Sequence, residues 1–286
     1  MVVVGAGRAG GSLARLWHQS GYTEIQAVYS RSGAGELAAS VEASTTDNIA
    51  NLPKADFLLI ATPDASLNTV ATQIAQSANV SGKQGVAFHL SGACSSEELA
   101  PLQSCGFSVA SAHPLRSFAS SSQSEFTDTW CGIEGDTEAA SALQKLFEKI
   151  GGRCFDINKS TKTAYHAATV ISSNGLFALA DVALSAWQRA GIEPEKAREI
   201  FLSLAAGTAS NIARLGPTAA LTGPVSRGDT PIVSRQLEEL QSNDETGAEI
   251  YRTLSLRLLA LAEQKLDPNS KKQLAKLLTT IDNEIR

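Results

Sequence analysis

Gly5-Ala6-Gly7-Arg8-Ala9-Gly10 constrains this chain more than any other stretch, because it follows the β-branched run Val2 to Val4 directly and opens a helical segment. The G-x-G-x-x-G spacing in that strand-turn-helix context predicts a dinucleotide-binding turn rather than an incidental glycine-rich one. Gly5 permits the tight turn, Gly7 lets a pyrophosphate approach the backbone, and Gly10 lets the helix pack on the strand. With Ala6, Arg8 and Ala9 they present a helix N-terminus that attracts phosphate.

Up to residue 157, short apolar runs alternate with helical segments. The runs are Val2 to Val4, Ile25 to Tyr29, Phe57 to Ala61, Val86 to Leu90, Phe107 to Ala112, Trp130 to Glu134 and Arg153 to Ile157. Between them, Ser12 to Ser20, Ser66 to Ser77 and Thr137 to Ile150 carry apolar residues at helical spacing, so the rhythm predicts βαβ units and a parallel sheet. Strand signals vanish after Asn158. The expected organisation is therefore a Rossmann-type α/β domain over 1–157 and an all-α domain over 158–286. Helices are predicted at Thr161 to Ala190 and Pro194 to Leu215, with two more after the loop Leu221 to Pro231, which holds Arg227 and Asp229 and either connects or binds. Ser120 to Ser124 reads as a mobile surface excursion.

Nicotinamide sites of this type usually place an acid at the end of the second strand, where it takes the ribose hydroxyls. Here the segment is Ser30-Arg31-Ser32. A guanidinium between two hydroxyls suits a 2′-phosphate and no carboxylate repels it, so the expected cofactor is NADP. In an open α/β sheet ligands lie beyond the carboxyl ends of the strands, which makes Ala61, Thr62, Pro63, Ser91 and Gly92 further cofactor candidates. Asp64 reads as a helix N-cap. His89 and His113 end neighbouring strands on the same rim and are candidates for proton transfer, whereas His18 lies in the first crossover helix without a role. On the first long helix beyond the sheet, Lys162 and His166 lie one turn apart, and Asn174 lies two turns further on the same side. His166 and Asn174 can polarise a carbonyl and exchange a proton, while Lys162 reads as solvated.

A net charge of -5 and a pI near 5.5 supply no basic field for nucleic acid or an anionic membrane, so a small-molecule substrate is expected. Cys94, Cys105, Cys131 and Cys154 are widely spaced with no metal-binding pattern, and no signal-peptide core precedes the glycines; reduced thiols in the cytoplasm are expected. Ala164 to Trp187 is apolar enough to raise a membrane question, but His166, Asn174 and Asp181 favour a buried core helix. Its apolar face exceeds what a small bundle covers, which predicts a homodimer through the helical domain.

Taken together, GAGRAG, SRS, HLSGA (His89 to Ala93), AHPL (Ala112 to Leu115), YHAA (Tyr165 to Ala168) and LTGPVSRGD resemble a bacterial domain-of-unknown-function (2520) family. That family pairs a Rossmann-like domain with a helical C-terminal domain of the 6-phosphogluconate-dehydrogenase type. It is similar more distantly to pyrroline-5-carboxylate reductase, ketopantoate reductase and deazaflavin-dependent NADP reductases. The resemblance spans nearly the whole chain and implies an NADP oxidoreductase acting on a small carbonyl or imine, with a catalytically silent NADP sensor as the alternative. It implies no particular substrate.

Overall fold

The computed structural model describes residues 1–77, 85–118 and 125–279; the serine-rich segment Ser120 to Ser124 lies outside them. The chain divides into two compact units, Met1–Asn174 and Gly175–Arg286. The first holds an eight-stranded sheet of order β3-β2-β1-β4-β5-β6-β7-β8. In chain order its elements are β1 Val2–Val4, α1 Arg8–Gln19, β2 Ala27–Tyr29, α2 Gly35–Ser40, β3 Ser44–Thr46, β4 Phe57–Ile60, α3 Leu67–Ala75 and β5 Gly85–His89. There follow α4 Ala100–Gln103, β6 Phe107–Pro114, β7 Trp130–Gly135, α5 Thr137–Glu148, β8 Arg153–Asp156 and the start of α6 Lys162–Arg189.

Period-two alternation explains why both faces of this sheet are covered. Val3, Val28, Leu59, Phe88 and Ala110 point to one face, where α1 and α5 bring Leu13, Trp17, Leu143 and Phe147. Val2, Val4, Leu58, Ile60 and Ala87 point to the other, where α3 brings Leu67, Ala71 and Ile74. Trp17 anchors the first face, with its ring edge-on to Phe88 and Phe147 and its indole N–H donating to the Leu146 carbonyl at 3.1 Å.

Two features depart from the expected parallel sheet. β7 pairs antiparallel to β6, in the register His113↔Gly132, and parallel order resumes between β7 and β8. β3 is an additional strand: its residues Ser44-Thr45-Thr46 are polar and mostly exposed, a composition suited to an edge and silent in a search for apolar runs. The last strand ends at Asp156, and the division of compact units falls later, at Asn174, because the opening turns of α6 bind the sheet.

The second unit comprises the rest of α6 followed by α7 Pro194–Leu215, α8 Pro217–Ala220, α9 Pro224–Arg227, α10 Thr230–Asn243, α11 Glu245–Leu261 and α12 Pro268–Thr279. Val225, Val233, Leu259, Leu274 and Leu278 form its core, so α9 of the loop Leu221 to Pro231 contributes Val225 to packing, and Asp229 caps α10 by accepting from the Ile232 N–H at 3.3 Å. Three longer helices follow this loop rather than the two expected.

The expectation that Ala164 to Trp187 is a buried core helix is overturned. Ile171 is 74% exposed and Phe177 69% exposed, and Lys162 is the residue that α6 buries fully. Among the described residues, the helical stretch Lys159–Arg189 is the one long and apolar enough to cross a membrane by length and composition.

Candidate functional site

At the carboxyl end of β1 the backbone turns through Gly5 at φ +110, in the region that favours glycine, and a Cβ there would stand 2.4 Å from the Ala61 carbonyl oxygen. Gly10 is equally confined: its Cβ would meet the Gly5 carbonyl oxygen at 2.6 Å and the Ala61 Cβ at 2.7 Å. Gly7 has open space within 4 Å and precedes α1, whose first residue, Arg8, is exposed. Two glycines therefore hold α1 against β1 and β4, and the third leaves the helix N-terminus bare.

A cleft of about 610 Å³ opens there, lined by Gly5, Ala6, Gly7, Tyr29, Ser30, Arg31, Ser32, Ala61, Thr62 and Pro63. It straddles β1 and β4, where the strand order reverses direction, as expected of a dinucleotide crevice. Ser30 and Ser32 hydroxyls are 3.1 Å apart and flank the exposed Arg31. The Thr62 hydroxyl is buried with no hydrogen-bond partner among the described residues. A buried orphan of this kind is costly unless a ligand group completes it, so the cleft fits a ribose and pyrophosphate. From β2 to β5 the sheet spans three inter-strand steps of about 4.8 Å, enough to carry an extended dinucleotide from Arg31 toward Gly92.

Beyond β4 the rim is tied together by side chains. Ser91 Oγ donates to Asp64 Oδ2 at 2.8 Å and accepts from the Ala93 and Cys94 N–H groups at 3.1 and 2.9 Å. Asp64 thus braces the loop after β4 against that after β5 instead of capping a helix. Ser91, expected to bind cofactor, has its hydroxyl committed to that brace. His89 is fully buried, with Nδ1 accepting from the Ser91 N–H at 3.1 Å and Nε2 lying 3.0 Å from the Ser95 carbonyl. Burial pulls its pKa down to about 4. Both ring nitrogens serve the backbone, which makes His89 a structural residue rather than the proton carrier expected.

His113 and His166 do come together. Their rings are 5.8 Å apart, edge to face, and a Cβ on Gly92 would lie 2.7 Å from His113 Cε1 and 2.5 Å from His166 Cδ2. Only glycine at 92 admits both imidazoles. His113 Nδ1 is 2.8 Å from the Tyr165 hydroxyl. Burial pushes Tyr165 up to about 12, so the hydroxyl keeps its proton, while burial and the neighbouring His166 pull His113 down to about 4. His113 is then a neutral imidazole that meets the hydroxyl at Nδ1, accepting from it in the tautomer with the proton on Nε2.

Lys162, expected in solvent, is 2% exposed. Its Nζ donates to Glu134 Oε1 at 3.0 Å and to Ser111 Oγ. The Glu134 carboxylate also takes the Ser96 N–H at 2.7 Å and the Ser96 hydroxyl at 2.8 Å. Burial lowers the Lys162 pKa, opposed by the Glu134 charge. A buried pair satisfied on both sides fixes the first turn of α6 on β6 and β7, and so sets His166 beside His113. Sequence reading missed Glu134 and Tyr165; a carboxylate inside the apolar run Trp130 to Glu134 was the available signal. Asn174 is exposed, eight residues and roughly 12 Å along α6 from His166, and shares no hydrogen bond with the cluster.

Residues 1–114 match the Rossmann-like domain and residues 129–258 match the domain of unknown function DUF2520. No match is found among curated proteins. Protein TM1727 of Thermotoga maritima is 28% identical, with a TM-score of 0.70 over 92% of this chain and 98% of that one. BF3122 of Bacteroides fragilis, provisionally described as an NADP oxidoreductase, is 24% identical, with a TM-score of 0.72 over 90% of this chain and 96% of that one. An imine reductase of Myxococcus stipitatus in complex with NADP+ is 16% identical, with a TM-score of 0.64 over 96% and 98% of the two chains.

Proposed function

We propose that this chain, which pairs a Rossmann-like half with a DUF2520 half, is an NADP-dependent oxidoreductase that passes a hydride between NADPH and a small carbonyl or imine. The observation that carries the reading is the cleft combining the Gly5-Gly7-Gly10 turn, the orphaned Thr62 hydroxyl and Arg31. The similarity to reductases with bound NADP+ supports the same class.

When bound, NADPH supplies the hydride. The protein's own contribution lies at the rim. Gly5, Gly7 and the N–H groups opening α1 take the pyrophosphate, Thr62 takes the ribose, and Arg31 with Ser30 and Ser32 takes the 2′-phosphate. Gly92 gives up its Cβ space to the two imidazoles. A carbonyl or imine gains negative charge on its heteroatom as hydride arrives, and His113 Nε2–H and His166 donate hydrogen bonds there. Tyr165 holds His113 in the donating tautomer. The Lys162–Glu134 pair positions these groups and touches no substrate in this scheme.

The working unit in this reading is a cytoplasmic homodimer with a small-molecule substrate and no nucleic-acid or membrane partner. A second copy suits the bare face of α6 better than lipid does, since α6 begins in a buried ion pair on the sheet. Incubating the protein with NADPH and aldehydes, keto acids or cyclic imines, and following NADPH absorbance, should give turnover with one of these classes. Calorimetric NADP binding without turnover on any of them would overturn the catalytic reading in favour of a sensor.

A further inference from the structure

Cys131 and Cys154 oppose each other directly across the parallel strands β7 and β8. Cys131 is buried in the sheet core, and Cys154 packs at its edge, half-buried. Opposed residues of neighbouring strands lie about 4.8 Å apart, inside the roughly 4.4–6.8 Å window of disulfide-bonded Cα atoms. Cys154 Sγ donates to the Gln144 carbonyl at 3.9 Å. The adjacent Cys131 side chain holds the Cys154 thiol below its usual range, whereas burial pushes Cys131 up. The more acidic member is therefore the one solvent reaches. Cys94 and Cys105 are also half-buried free thiols, which makes them internal controls.

The neighbours of this pair reach the reaction rim. Gly132 follows Cys131, and a Cβ there would stand 2.8 Å from the Tyr165 hydroxyl oxygen. Phe155 follows Cys154, and its ring lies 6.2 Å from that of Tyr165. Tyr165 in turn bonds His113. Closing a disulfide re-spaces β7 and β8 at the cysteines, from about 4.8 Å toward the roughly 5.5–6 Å usual for bonded pairs, and so moves the two residues against which Tyr165 rests.

We propose that Cys131 and Cys154 form a reversible redox modification site, closing to a cross-strand disulfide under peroxide and displacing the Tyr165–His113 pair when they close. The Cys154 thiolate attacks a peroxide oxygen, so that an S–O bond forms, the O–O bond breaks and hydroxide leaves to become water. Cys131 sulfur then attacks the resulting sulfenic acid; the S–S bond forms, the S–O bond breaks, and the departing hydroxide takes the Cys131 proton as a second water. Two thiols lose two electrons and two protons, and hydrogen peroxide is the oxidant. Because the strand spacing of about 4.8 Å is shorter than the roughly 5.5–6 Å usual for disulfide-bonded Cα atoms, the bond is strained and readily reduced by dithiols.

The site does not depend on the proposed hydride chemistry, and its test uses no substrate. The full chain is treated with a slight excess of hydrogen peroxide, alkylated and mapped by peptide mass spectrometry. Expected is a Cys131 peptide linked to a Cys154 peptide with the loss of two hydrogens, reversed by dithiothreitol, while Cys94 and Cys105 stay alkylatable. Cys131→Ala should leave Cys154 without a resolving thiol and drive it to sulfinic acid; Cys154→Ser should keep Cys131 reduced. Sulfinic acid on Cys154 in the wild type with Cys131 still free, or faster oxidation of Cys94 or Cys105, overturns the proposal. Imidazole nitrogen spectra of the disulfide form should show the His113 signals shifted and restored on reduction, and an unmoved His113 refutes the displacement.

Discussion

Arg31 is the residue on which cofactor choice turns. It is exposed at the end of β2, flanked by two hydroxyls 3.1 Å apart, and no carboxylate shares the segment Ser30-Arg31-Ser32. A charge-assisted hydrogen bond to phosphate is worth about 1.5–3 kcal/mol, so Arg31→Ala should weaken NADP binding roughly tenfold or more and leave NAD binding nearly unchanged. Arg31→Asp should reverse the preference, since a carboxylate repels the 2′-phosphate and accepts from ribose hydroxyls. Calorimetric titration of both cofactors into the wild type and the two variants decides this; equal wild-type affinities would sink the NADP assignment. Lys162 teaches the opposite lesson about reading single residues. On its own a lysine at a helix start reads as solvated, and only the tertiary pairing of β7 with α6 puts Glu134 within 3.0 Å of it.

Among the elements, α6 carries the sharpest expectation. Ile171 and Phe177 are 74% and 69% exposed, and α7 adds Leu202 at 70%, an apolar surface that water covers at a cost of about 1.5–3 kcal/mol for each large side chain left bare. If a second copy covers it, light scattering should give twice the chain mass at micromolar concentration, and Ile171→Asp with Phe177→Asp should halve it while the helical circular dichroism stays. A wild-type monomer refutes the dimer. The same helix marks the limit of legibility from sequence. Its length was readable from the closing Gly191, as were β1, α1, β4 and α5, because apolar period and glycine punctuation are local signals. Which side of α6 is buried depends on partners that local period does not name. β3 escaped because three polar residues on an edge leave no apolar trace, and the reversal at β7 because strand direction is set by the path from Pro114 to Trp130. At the site, the glycine turn was legible from spacing, whereas the roles of His89 and Tyr165 needed the contacts: both imidazole nitrogens of the first are spent on backbone, and the second is defined by its bond to His113.

At the scale of the whole molecule, the two buried imidazoles couple the site to global stability. Burial brings His89 and His113 each from an ordinary 6.5 to about 4 in the folded chain. Above pH 6.5 both states hold them neutral and the fold keeps its full stability. As pH falls from 6.5 toward 4, the unfolded chain takes up these two protons while the folded chain does not, so the unfolded state gains and stability is lost. At 1.36 kcal/mol per pH unit the loss approaches about 3 kcal/mol for each histidine by pH 4. Carboxylates held ionised by the fold lose stability in the same direction near pH 4, so the slope of the wild type alone does not isolate the imidazoles. A variant does. His113→Asn keeps a polar side chain beside Tyr165 and removes one titration, and its urea midpoint should fall less steeply than that of the wild type between pH 6.5 and 4.5, by about half the histidine contribution, even if its absolute stability is lower throughout. Parallel curves for the two proteins would mean that His113 titrates alike in the folded and unfolded chains. The neutral donor assigned to the reaction rim would then be present only above about pH 6.5 rather than across the acidic range.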